Sequence, residues 1–402
     1  MTTASTTTVD APAKKPGLLS RINFRQYGIL AALVVIIALF QILTGGRLLM
    51  SGNVNNLIQQ NAYVLILAIG MVMVIIAGHI DLSVGSVVAM VGAIAALAMK
   101  DWGLPWWLAV VISLAVGVIV GAWQGFWVAF VGIPAFIVTL AGMLLFRGLT
   151  LVFLTGGTIG GLPDAFTDIG AGWLPPLFGF LANRDGLTLT LGVVACAGLV
   201  FQQIKTRRTQ SKLSLDTEGA WVFWGRNVVA VIAILAGSWL LAGYNGTPIV
   251  LIILAVLVLA YTFVLNRTVF GRHIYAIGGN RFAATMSGVK TKWVDFFVFV
   301  NMGALTAIAA VVSTSRAGSA VASAGTNYEL DAIAAVFIGG AAVTGGIGTI
   351  VGAVIGGLVM GVLNMGLSIL SVDAAWQMAI KGLVLLLAVA FDIFNKRRGG
   401  GS

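Results

Sequence analysis

The chain has 402 residues, of which 59% are hydrophobic and only 9% are charged. A soluble domain carries about 25% charged residues, so this composition excludes a soluble globular protein and indicates that lipid is the main solvent. The formal net charge is +10. Its basic residues cluster at the ends of apolar segments, which is typical of membrane topology and argues against nucleic-acid binding.

The polar segment at the N-terminus, residues 1–26, is rich in Thr, Ala and Pro and has no early apolar core. It therefore does not read as a cleaved secretory signal, and we predict a disordered cytoplasmic tail. Residues 27–394 are expected to form a single transmembrane domain, followed by a cytoplasmic tail at 395–402. The only cysteine, Cys196, lies in an apolar run, which excludes an internal disulfide and predicts a packing role.

Apolar runs predict an all-α polytopic membrane protein with about twelve transmembrane helices, because a spanning helix needs about 20 apolar residues. In chain order the predicted spans cover 27–43, 61–78, 84–99, 105–130, 135–154, 187–204, 222–243, 247–265, 293–314, 331–346, 349–370 and 375–394. The runs at 84–99 and 331–346 are short, so each is either a full span or a re-entrant or broken helix. A count of ten spans is the alternative.

Basic residues set the predicted orientation of these spans. If the N-terminal tail is cytoplasmic, the stretches 205–221, 266–292 and 395–402 also fall on the cytoplasmic side, and all three are basic. The long loop 155–186, which carries three aspartates, falls on the opposite side. Both termini are therefore predicted to be cytoplasmic, with either twelve or ten spans.

Catalytic and metal-binding motifs are missing from the sequence. It contains no G-x-x-x-x-G-K-[ST] phosphate loop, no H-E-x-x-H pair, no cysteine pair, and two histidines, His79 and His273. We therefore predict that the chain is not an enzyme and binds no metal or cofactor of its own. Free energy for any work that the chain does would come from an ion gradient or from a partner.

Ionisable residues within spans mark ion-driven transporters, because charge is costly in lipid. Such candidates are few: Arg147 lies in an apolar run, and Asp81 lies at the break between the second and third predicted spans. Asp295, Glu329 and Asp331 lie at span starts. Acids in the first turn of a helix complement its positive end, so we predict that these three stabilise helix termini.

The break around Asp81 is open to two interpretations. Asp81 or Ser83 can cap the helix predicted to begin near Val84 by accepting a hydrogen bond from a backbone N–H two or three residues on. We favour such a cap. The alternative is a proton- or sodium-coupled secondary transporter that uses Asp81.

The cytoplasmic stretch 266–292 is too polar for a span and yet has clear local signals. Gly278-Gly279 can form a turn, Asn280 is a good N-cap, and Gly288 can close the helix as a C′ glycine. These signals predict a short helix of about two turns.

Two apolar residues, Phe282 and Met286, lie four apart on this short helix and therefore share one face. An exposed apolar edge of this kind is either a docking surface for another protein or an amphipathic segment lying on the bilayer.

Glycines recur every fourth residue late in the chain, at Gly348, Gly352 and Gly356 and again at Gly357 and Gly361. Small residues at this spacing let membrane helices pack closely. Close packing is the favoured interpretation, and a gliding surface used during gating is the alternative.

Four stretches together resemble the permease subunits of bacterial ABC importers for monosaccharides, in the ribose, arabinose and xylose branch. They are AGHIDLSVGS (77–86), GIPAFIVTLAGMLLFRGL (132–149), GRHIYAIGGNRFAATMSGV (271–289) and NYELDAIAAVFIGGAAVTGGIGTIVGAVIGG (327–357), in family order. The resemblance extends over most of residues 50–394.

This resemblance implies a multi-pass subunit of the bacterial inner membrane that works as a homodimer. Its implied partners are two cytoplasmic ABC ATPase subunits, or a fused tandem ATPase, and an extracytoplasmic sugar-binding protein. ATP and Mg would bind the ATPase and not this chain, and closure of the ATPase would drive alternating access. A scaffold without transport activity is a third class, beside the ion-coupled transporter.

The resemblance also implies site residues. It gives the role of ATPase coupling to Gly278, Gly279, Asn280, Ala283, Ala284, Ser287 and Gly288, and the predicted coupling segment also includes Arg281, Phe282 and Met286. Residues predicted to line the translocation path or to shape broken helices are Asp81, Ser83, Glu329, Asp331 and Asn364.

Two positions depart from the family pattern. His79 stands where the family usually has glycine, which puts a glycine-only backbone angle at that position in doubt. The segment 205–246 is longer than in compact ribose-type members and adds a basic loop and a helical hairpin, as in xylose-type permeases. The resemblance therefore favours xylose as the sugar.

Overall fold

The computed structural model describes residues 24–155, 157–181, 183–213 and 219–399. Most of the predicted N-terminal tail, residues 1–23, lies outside the described residues. Residues 24–26 are not part of a disordered tail, because the first helix already includes them.

The described residues form fifteen α-helices and four short strands. The helices are α1 Phe24–Leu43, α2 Ser51–Ile76, α3 Val84–Lys100, α4 Trp106–Phe126, α5 Ala135–Leu154, α6 Asp164–Ala171, α7 Gly186–Lys212, α8 Ala220–Ala242, α9 Ile249–Arg267, α10 Val269–Gly279, α11 Arg281–Met286, α12 Thr291–Ala317, α13 Tyr328–Ile338, α14 Ile350–Ile369 and α15 Ala374–Gly399. A π-helical turn, Trp127–Val131, extends α4.

The strands pair in two small antiparallel ribbons. Strand β1, Thr158–Gly160, pairs with β4, Ser319–Val321, and strand β2, Phe180–Leu181, pairs with β3, Arg184–Asp185. The first ribbon fastens the end of α12 to the chain that leaves α5. These two helices therefore end on the same face of the molecule.

Eight of the described helices are long and apolar enough to cross a membrane, namely α2, α4 with its π-helical extension, α5, α7, α8, α9, α12 and α14. Three shorter apolar stretches, in α1, α3 and α15, coincide with three further predicted spans. The fold is therefore an all-α polytopic membrane protein, as predicted. Boundaries differ most for α2, which begins ten residues before the predicted span 61–78.

The predicted span 331–346 is wrong as a continuous helix. Helix α13 has 11 residues and is about 16 Å long at 1.5 Å per residue, roughly half the apolar core of a bilayer. It ends at Ile338, and positive φ angles at Gly340, Gly345 and Gly346 turn the chain before α14 begins. This region is a broken helix, which was the open alternative for this span.

Helix α14 shows how the chain ends are placed. Its first turns lie beside the end of α2, since Gly348 abuts Ile76, and its last turns lie beside the end of α1, since Gly366 abuts Phe40. The first and last described residues therefore fall on one face. We call it the inner face, because basic segments mark the cytoplasmic side, and the opposite one the outer face.

The glycine repeat of α14 packs against two neighbours. Gly352 and Gly356 face the backbone of α13 at Gly339 and Ala335. On the adjoining side, a Cβ atom on Gly357 would meet the side chain of Leu65 in α2. The predicted close packing is confirmed, and it buries most of α14 beside α2.

A second close crossing was not predicted, although α4 carries glycines at the same spacing. Gly117 and Gly121 of α4 lie against Gly303 of α12, where an added Cβ would overlap the backbone of the facing helix. Helices α2, α12 and α14 form the buried centre of the bundle, and α7, α8 and α9 are mostly exposed at its edge. Cys196 packs in this edge region between α7 and α8.

Three predicted loops or tails are partly helical. Within 205–221, helix α7 continues to Lys212 because the basic run contains no Gly or Pro, and residues 214–218 lie outside the described part. Within 395–402, α15 runs to Gly399, and residues 400–402 lie outside the described part of the chain. The stretch 266–292 contains α10 as well as the predicted short helix.

Candidate functional site

The short helix α11 forms as its sequence predicts, and we call it the coupling helix after the role predicted for it. Asn280 is the N-cap of α11, and its Oδ1 accepts a hydrogen bond of 2.9 Å from the N–H of Ala283. Gly288 follows the helix with a φ of +84°, the left-handed conformation that favours glycine at C′. Phe282 and Met286 are 74% and 68% exposed. The helix presents an apolar edge that no described residue covers.

Gly278 and Gly279 do not form the predicted turn, since both belong to the last turn of α10. Gly278 is nevertheless indispensable for packing: a Cβ atom there would overlap the carbonyl oxygen of Ile76 and the backbone of Gly346. Gly279 faces open space. The base of the coupling helix is thus fixed against the end of α2 and against the loop between α13 and α14.

A cluster of charged and polar side chains joins α11 to the membrane domain. Arg281 donates two hydrogen bonds to Asp295, with Nη1 to Oδ2 at 2.6 Å and Nη2 to Oδ1 at 3.1 Å. Nε2 of His79 lies 3.2 Å from Oδ1 of Asp295 and 3.2 Å from Nη2 of Arg281. Arg281, on the coupling helix, therefore meets both α12 and the break that follows α2.

Asp295 does not play the predicted part of a first-turn acid. Helix α12 begins at Thr291, so Asp295 lies in its second turn, where it is buried and bonded to Arg281. The neighbouring Gly78, with a φ of +87°, makes the left-handed turn, and His79 is not in the left-handed region. Glycine at position 79 is therefore not required by the backbone.

The break before α3 is organised by Asp81. Its Oδ1 accepts hydrogen bonds from the N–H of Ser83 at 2.9 Å and from the Ser83 hydroxyl at 2.7 Å. Gln124 of α4 donates to the same hydroxyl oxygen at 2.6 Å. Asp81 thus accepts a bond from the N–H two residues on, but that N–H belongs to Ser83, the N-cap residue of α3, so the bond precedes the helix and does not cap it. The Ser83 side chain makes no cap hydrogen bond and instead connects the break to α4.

Two helix starts meet inside the bundle. Gly85 lies in the first turn of α3, and a Cβ atom there would overlap the carbonyl oxygen of Gly325 and the carboxylate of Glu329. Glu329 and Asp331 lie in the first turn of α13, as predicted. Because helix starts carry partial positive charge, the Glu329 carboxylate between them is favourably placed.

Arg147 supports the loop that leads to α13. Its Nη1 donates to the carbonyl oxygens of Ala322 at 2.9 Å and Ala324 at 2.7 Å. Irregular backbone at membrane depth needs partners of this kind, because lipid offers no hydrogen bonds. Arg147, the charged residue in an apolar run, thus satisfies backbone carbonyl groups of the loop before α13.

On the outer side, Asp331 is buried and has two partners. The hydroxyl of Tyr63, midway along α2, donates to its Oδ2 at 2.9 Å, and Nζ of Lys381 on α15 lies 3.2 Å from its Oδ1. The Tyr63 ring stacks on Tyr328, with centroids 3.5 Å apart. Together these residues close the centre of the molecule towards the outer face.

Above this closure lies a polar cleft of about 420 Å³, which we call the outer cleft. Asn364 of α14 lines it and donates from Nδ2 to Oδ1 of Asn61 at 3.2 Å. The full lining comprises Gln59, Gln60, Asn61, Tyr63, Val312, Ser313, Arg316, Ala317, Tyr328, Asn364, Ser368, Gln377 and Lys381.

A second cleft of about 540 Å³ opens near the inner face, and we call it the inner cleft. His79, Arg281 and Asp295 line it, together with residues between α4 and α5. Of the predicted path residues, Asn364 lines the outer cleft, and Asp331 is bonded to Tyr63 and Lys381, which also line it. Asp81 and Ser83 follow His79 and Ile80 of the inner cleft, and Glu329 follows Tyr328 of the outer cleft. Their role in translocation stays a prediction.

Several residues of the two clefts and their surroundings were not predicted, namely Tyr63, Gln124, His79 as a contact residue, and Lys381. Gln124 was detectable, since it is a polar residue within the predicted span 105–130, whereas Tyr63 lies near the start of the span 61–78. Lys381 lies in the second turn of a span, where basic residues are common. Among the described residues, no group of three or more His, Cys, Asp or Glu is placed to hold a metal ion.

Comparison with known proteins gives consistent matches over almost the whole chain. Residues 53–389 match the family described as the permease component of the branched-chain amino acid transport system. The chain is 40% identical over 380 residues to the xylose transport system permease protein of Haemophilus influenzae, covering 94% of this chain and 99% of that protein.

Two Escherichia coli K12 proteins are also similar. The xylose transport system permease protein is 40% identical over 380 residues, or 94% of each chain. The ribose import permease protein is 34% identical over 369 residues, covering 92% of this chain and 93% of that protein. No solved structure matches the chain.

Proposed function

This chain belongs to the family of transport-system permease components, and from that premise we propose that it is the membrane-spanning subunit of an ABC importer for a monosaccharide, xylose in the first place. The family's description names branched-chain amino acids, so membership alone does not decide the solute. The relatives favour a sugar, since those at 40% and 34% identity are xylose and ribose permeases. The chain is a multi-pass protein of the bacterial inner membrane and is not itself an enzyme.

The observation that carries this proposal is the exposed edge of α11. Phe282 and Met286 are exposed on a capped helix at the inner face, and Arg281 at its start is bonded to the buried Asp295. An apolar edge on a rigid helix fits the groove of a partner protein. We assign the partner as an ATPase subunit, which binds ATP and Mg in place of this chain.

The proposed coupling route runs from α11 into the bundle. A displacement of α11 by the ATPase would move Arg281 and, through Asp295 and His79, the break at residues 77–83. Asp81 and Ser83 transmit the displacement to the start of α3 and, through Gln124, to α4. Because Gly278 holds α10 against the end of α2, α10 and the membrane domain would move together.

Two further partners complete the proposed importer. A second copy of the chain would supply the other half of a homodimer, and an extracytoplasmic binding protein would deliver the sugar to the outer face. Selection of the sugar is then shared between that binding protein and the path.

The ion-coupled alternative has less support. It needs Asp81 to exchange a proton or to hold an ion, whereas the Asp81 carboxylate oxygen is already bonded to the N–H and hydroxyl of Ser83. Uptake by the isolated chain in liposomes under an ion gradient, lost in Asp81→Asn, would support that alternative. A scaffold would show no uptake with any combination of partners.

The proposal is tested by co-purification of the ATPase with the Phe282→Ser, Met286→Ser double variant. We expect loss of the ATPase and of xylose uptake, with unchanged folding, because both side chains are exposed. Leu177→Ser with Phe178→Ser is the matched control, since these are 71% and 65% exposed near the outer face. An intact complex and full uptake in the Phe282, Met286 variant would refute the coupling role. Uptake of labelled xylose and ribose identifies the sugar.

A further inference from the structure

We infer that the outer cleft is a binding site for one neutral monosaccharide, held above a floor made by Tyr63, Tyr328 and Asp331. This inference rests on the proposed function and adds the residues that meet the sugar. The cleft volume of about 420 Å³ falls in the range of small-molecule sites, about 300–1,000 Å³.

The lining has the chemistry of a sugar site. Nine of its thirteen residues are polar without charge. Five of them carry a side-chain amide and four carry a hydroxyl group, the latter being Tyr63, Ser313, Tyr328 and Ser368. Amides and hydroxyls donate and accept hydrogen bonds, as sugar hydroxyls do. A sugar can therefore replace its water shell in the cleft without burying a net charge.

The charged side chains that line the outer cleft do not require an anionic ligand. Lys381 is paired with the buried Asp331 at 3.2 Å, so its charge is already balanced. Arg316 lies at the outer end of α12, in its last turn. A neutral ligand is consistent with this balance, and a phosphorylated sugar would leave Lys381 with two competing partners.

One lining residue of the cleft, Asn364, has a side-chain amide oxygen without a hydrogen bond. Asn364 donates to Asn61, but its buried Oδ1 has no hydrogen bond within the protein. A buried acceptor without a partner is unfavourable, so a ligand hydroxyl that reaches it gains a full hydrogen bond. Asn364 is therefore the residue that we expect to contribute most to affinity.

The floor of the cleft explains why the ligand stops there. Tyr63 and Tyr328 both line the cleft with stacked rings, and the Tyr63 hydroxyl is bonded to Asp331 behind them. Tyr63 lies midway along α2, so the sugar would be bound near the middle of the membrane. Passage requires the two rings to separate.

Thiol labelling in the complete importer tests this site. Cys196 is the only cysteine, so a Cys196→Ala background carries one introduced thiol, either Ser368→Cys in the cleft or Asn245→Cys in an exposed loop near the outer face as control. A membrane-impermeant trimethylammonium methanethiosulfonate is added to cells that contain all subunits, and uptake of labelled xylose is measured.

We expect labelling of Ser368→Cys to reduce uptake at least tenfold and labelling of Asn245→Cys to leave it unchanged. If Ser368→Cys is not labelled, or is labelled without loss of uptake, the cleft is not the site although the importer still works. If the unlabelled importer takes up neither xylose nor ribose, the proposed function itself fails, and the inference with it.

A kinetic variant gives an independent reading. Asn364→Leu removes the open acceptor, and we expect the KM for xylose uptake to rise about three- to tenfold, the effect of one hydrogen bond, with little change in maximal rate. Asn245→Leu should leave the KM unchanged. An unchanged KM in Asn364→Leu would overturn the assignment of that residue.

Discussion

Arg281 and Asp295 are fourteen residues apart in the chain and meet through two hydrogen bonds, of 2.6 and 3.1 Å, that join the coupling helix to α12. The carboxylate is buried and the guanidinium is about half exposed. This pair is the direct connection between the exposed apolar edge of α11 and a helix at the centre of the membrane domain.

Replacing Arg281 should uncouple ATP hydrolysis from transport. Arg281→Ala removes both hydrogen bonds and is expected to reduce xylose uptake about tenfold or more while the complex still forms, since a bond to a charged group contributes about 1.5–3 kcal/mol. Arg281→Lys keeps the charge without the paired geometry, so an intermediate effect is expected. Uptake per ATP hydrolysed in proteoliposomes measures this, and equal ratios in all three proteins would contradict the coupling route.

Two adjacent glycines should respond differently to one added methyl group. Gly278→Ala places Cβ against the Ile76 carbonyl and should lower the free energy of unfolding by about 1–3 kcal/mol, the usual cost of overpacking. Gly279→Ala faces open space and should be neutral or stabilising by up to about 1 kcal/mol, because alanine favours helix. Thermal unfolding in detergent compares them. Equal melting temperatures would contradict the close contact at Gly278.

Another residue that caps helices well should be able to replace Asn280 at the N-cap of the coupling helix. Asn280→Ala removes the acceptor for the Ala283 N–H and should destabilise α11 by about 0.5–2 kcal/mol. Asn280→Asp keeps the acceptor and should retain ATPase binding. The affinity of purified permease for its ATPase is the measurement, and an Asn280→Ala protein that binds as tightly as Asn280→Asp would show that the cap is dispensable.

Replacing Asp331 or Lys381 alone should destabilise the protein more than replacing both together. Lys381→Met leaves the buried Asp331 carboxylate unpaired, whereas Asp331→Asn leaves the partly exposed Lys381 unpaired, so Lys381→Met should cost more, up to about 3–5 kcal/mol, the value for a fully buried pair. The double variant removes both charges and should lose less stability than the sum of the single variants. Unfolding in a mixed-detergent series completes this cycle. Additive losses would mean that the two groups do not interact.

Local chemistry in the sequence was enough to predict the coupling helix. Asn280 and Gly288 act through backbone groups two or three residues away, so their roles can be recognised without any tertiary structure. The Asp81 bond to Ser83 is also local, although it does not cap α3. Eleven apolar runs also sufficed to locate helices, because lipid allows few other structures.

Residues that act through distant partners were misjudged or missed. Asp295 was interpreted from its position at a helix start, yet its partners come from α11 and from the break after α2. The span 331–346 failed for another reason. Its composition is apolar throughout, and the break depends on left-handed turns at Gly340, Gly345 and Gly346, whereas most glycines in this chain lie within helices.

The position of the α7–α8 hairpin bears on which residues determine sugar preference. Helix α8 and the end of α7 lie in the segment 205–246, whose length favoured xylose, yet none of the residues lining the outer or inner cleft comes from α7 or α8. The hairpin lies mostly exposed at the edge of the bundle. It therefore contacts neither cleft directly, and we expect it to have little influence on selectivity. A chimera that exchanges this hairpin with a ribose permease would keep its own sugar.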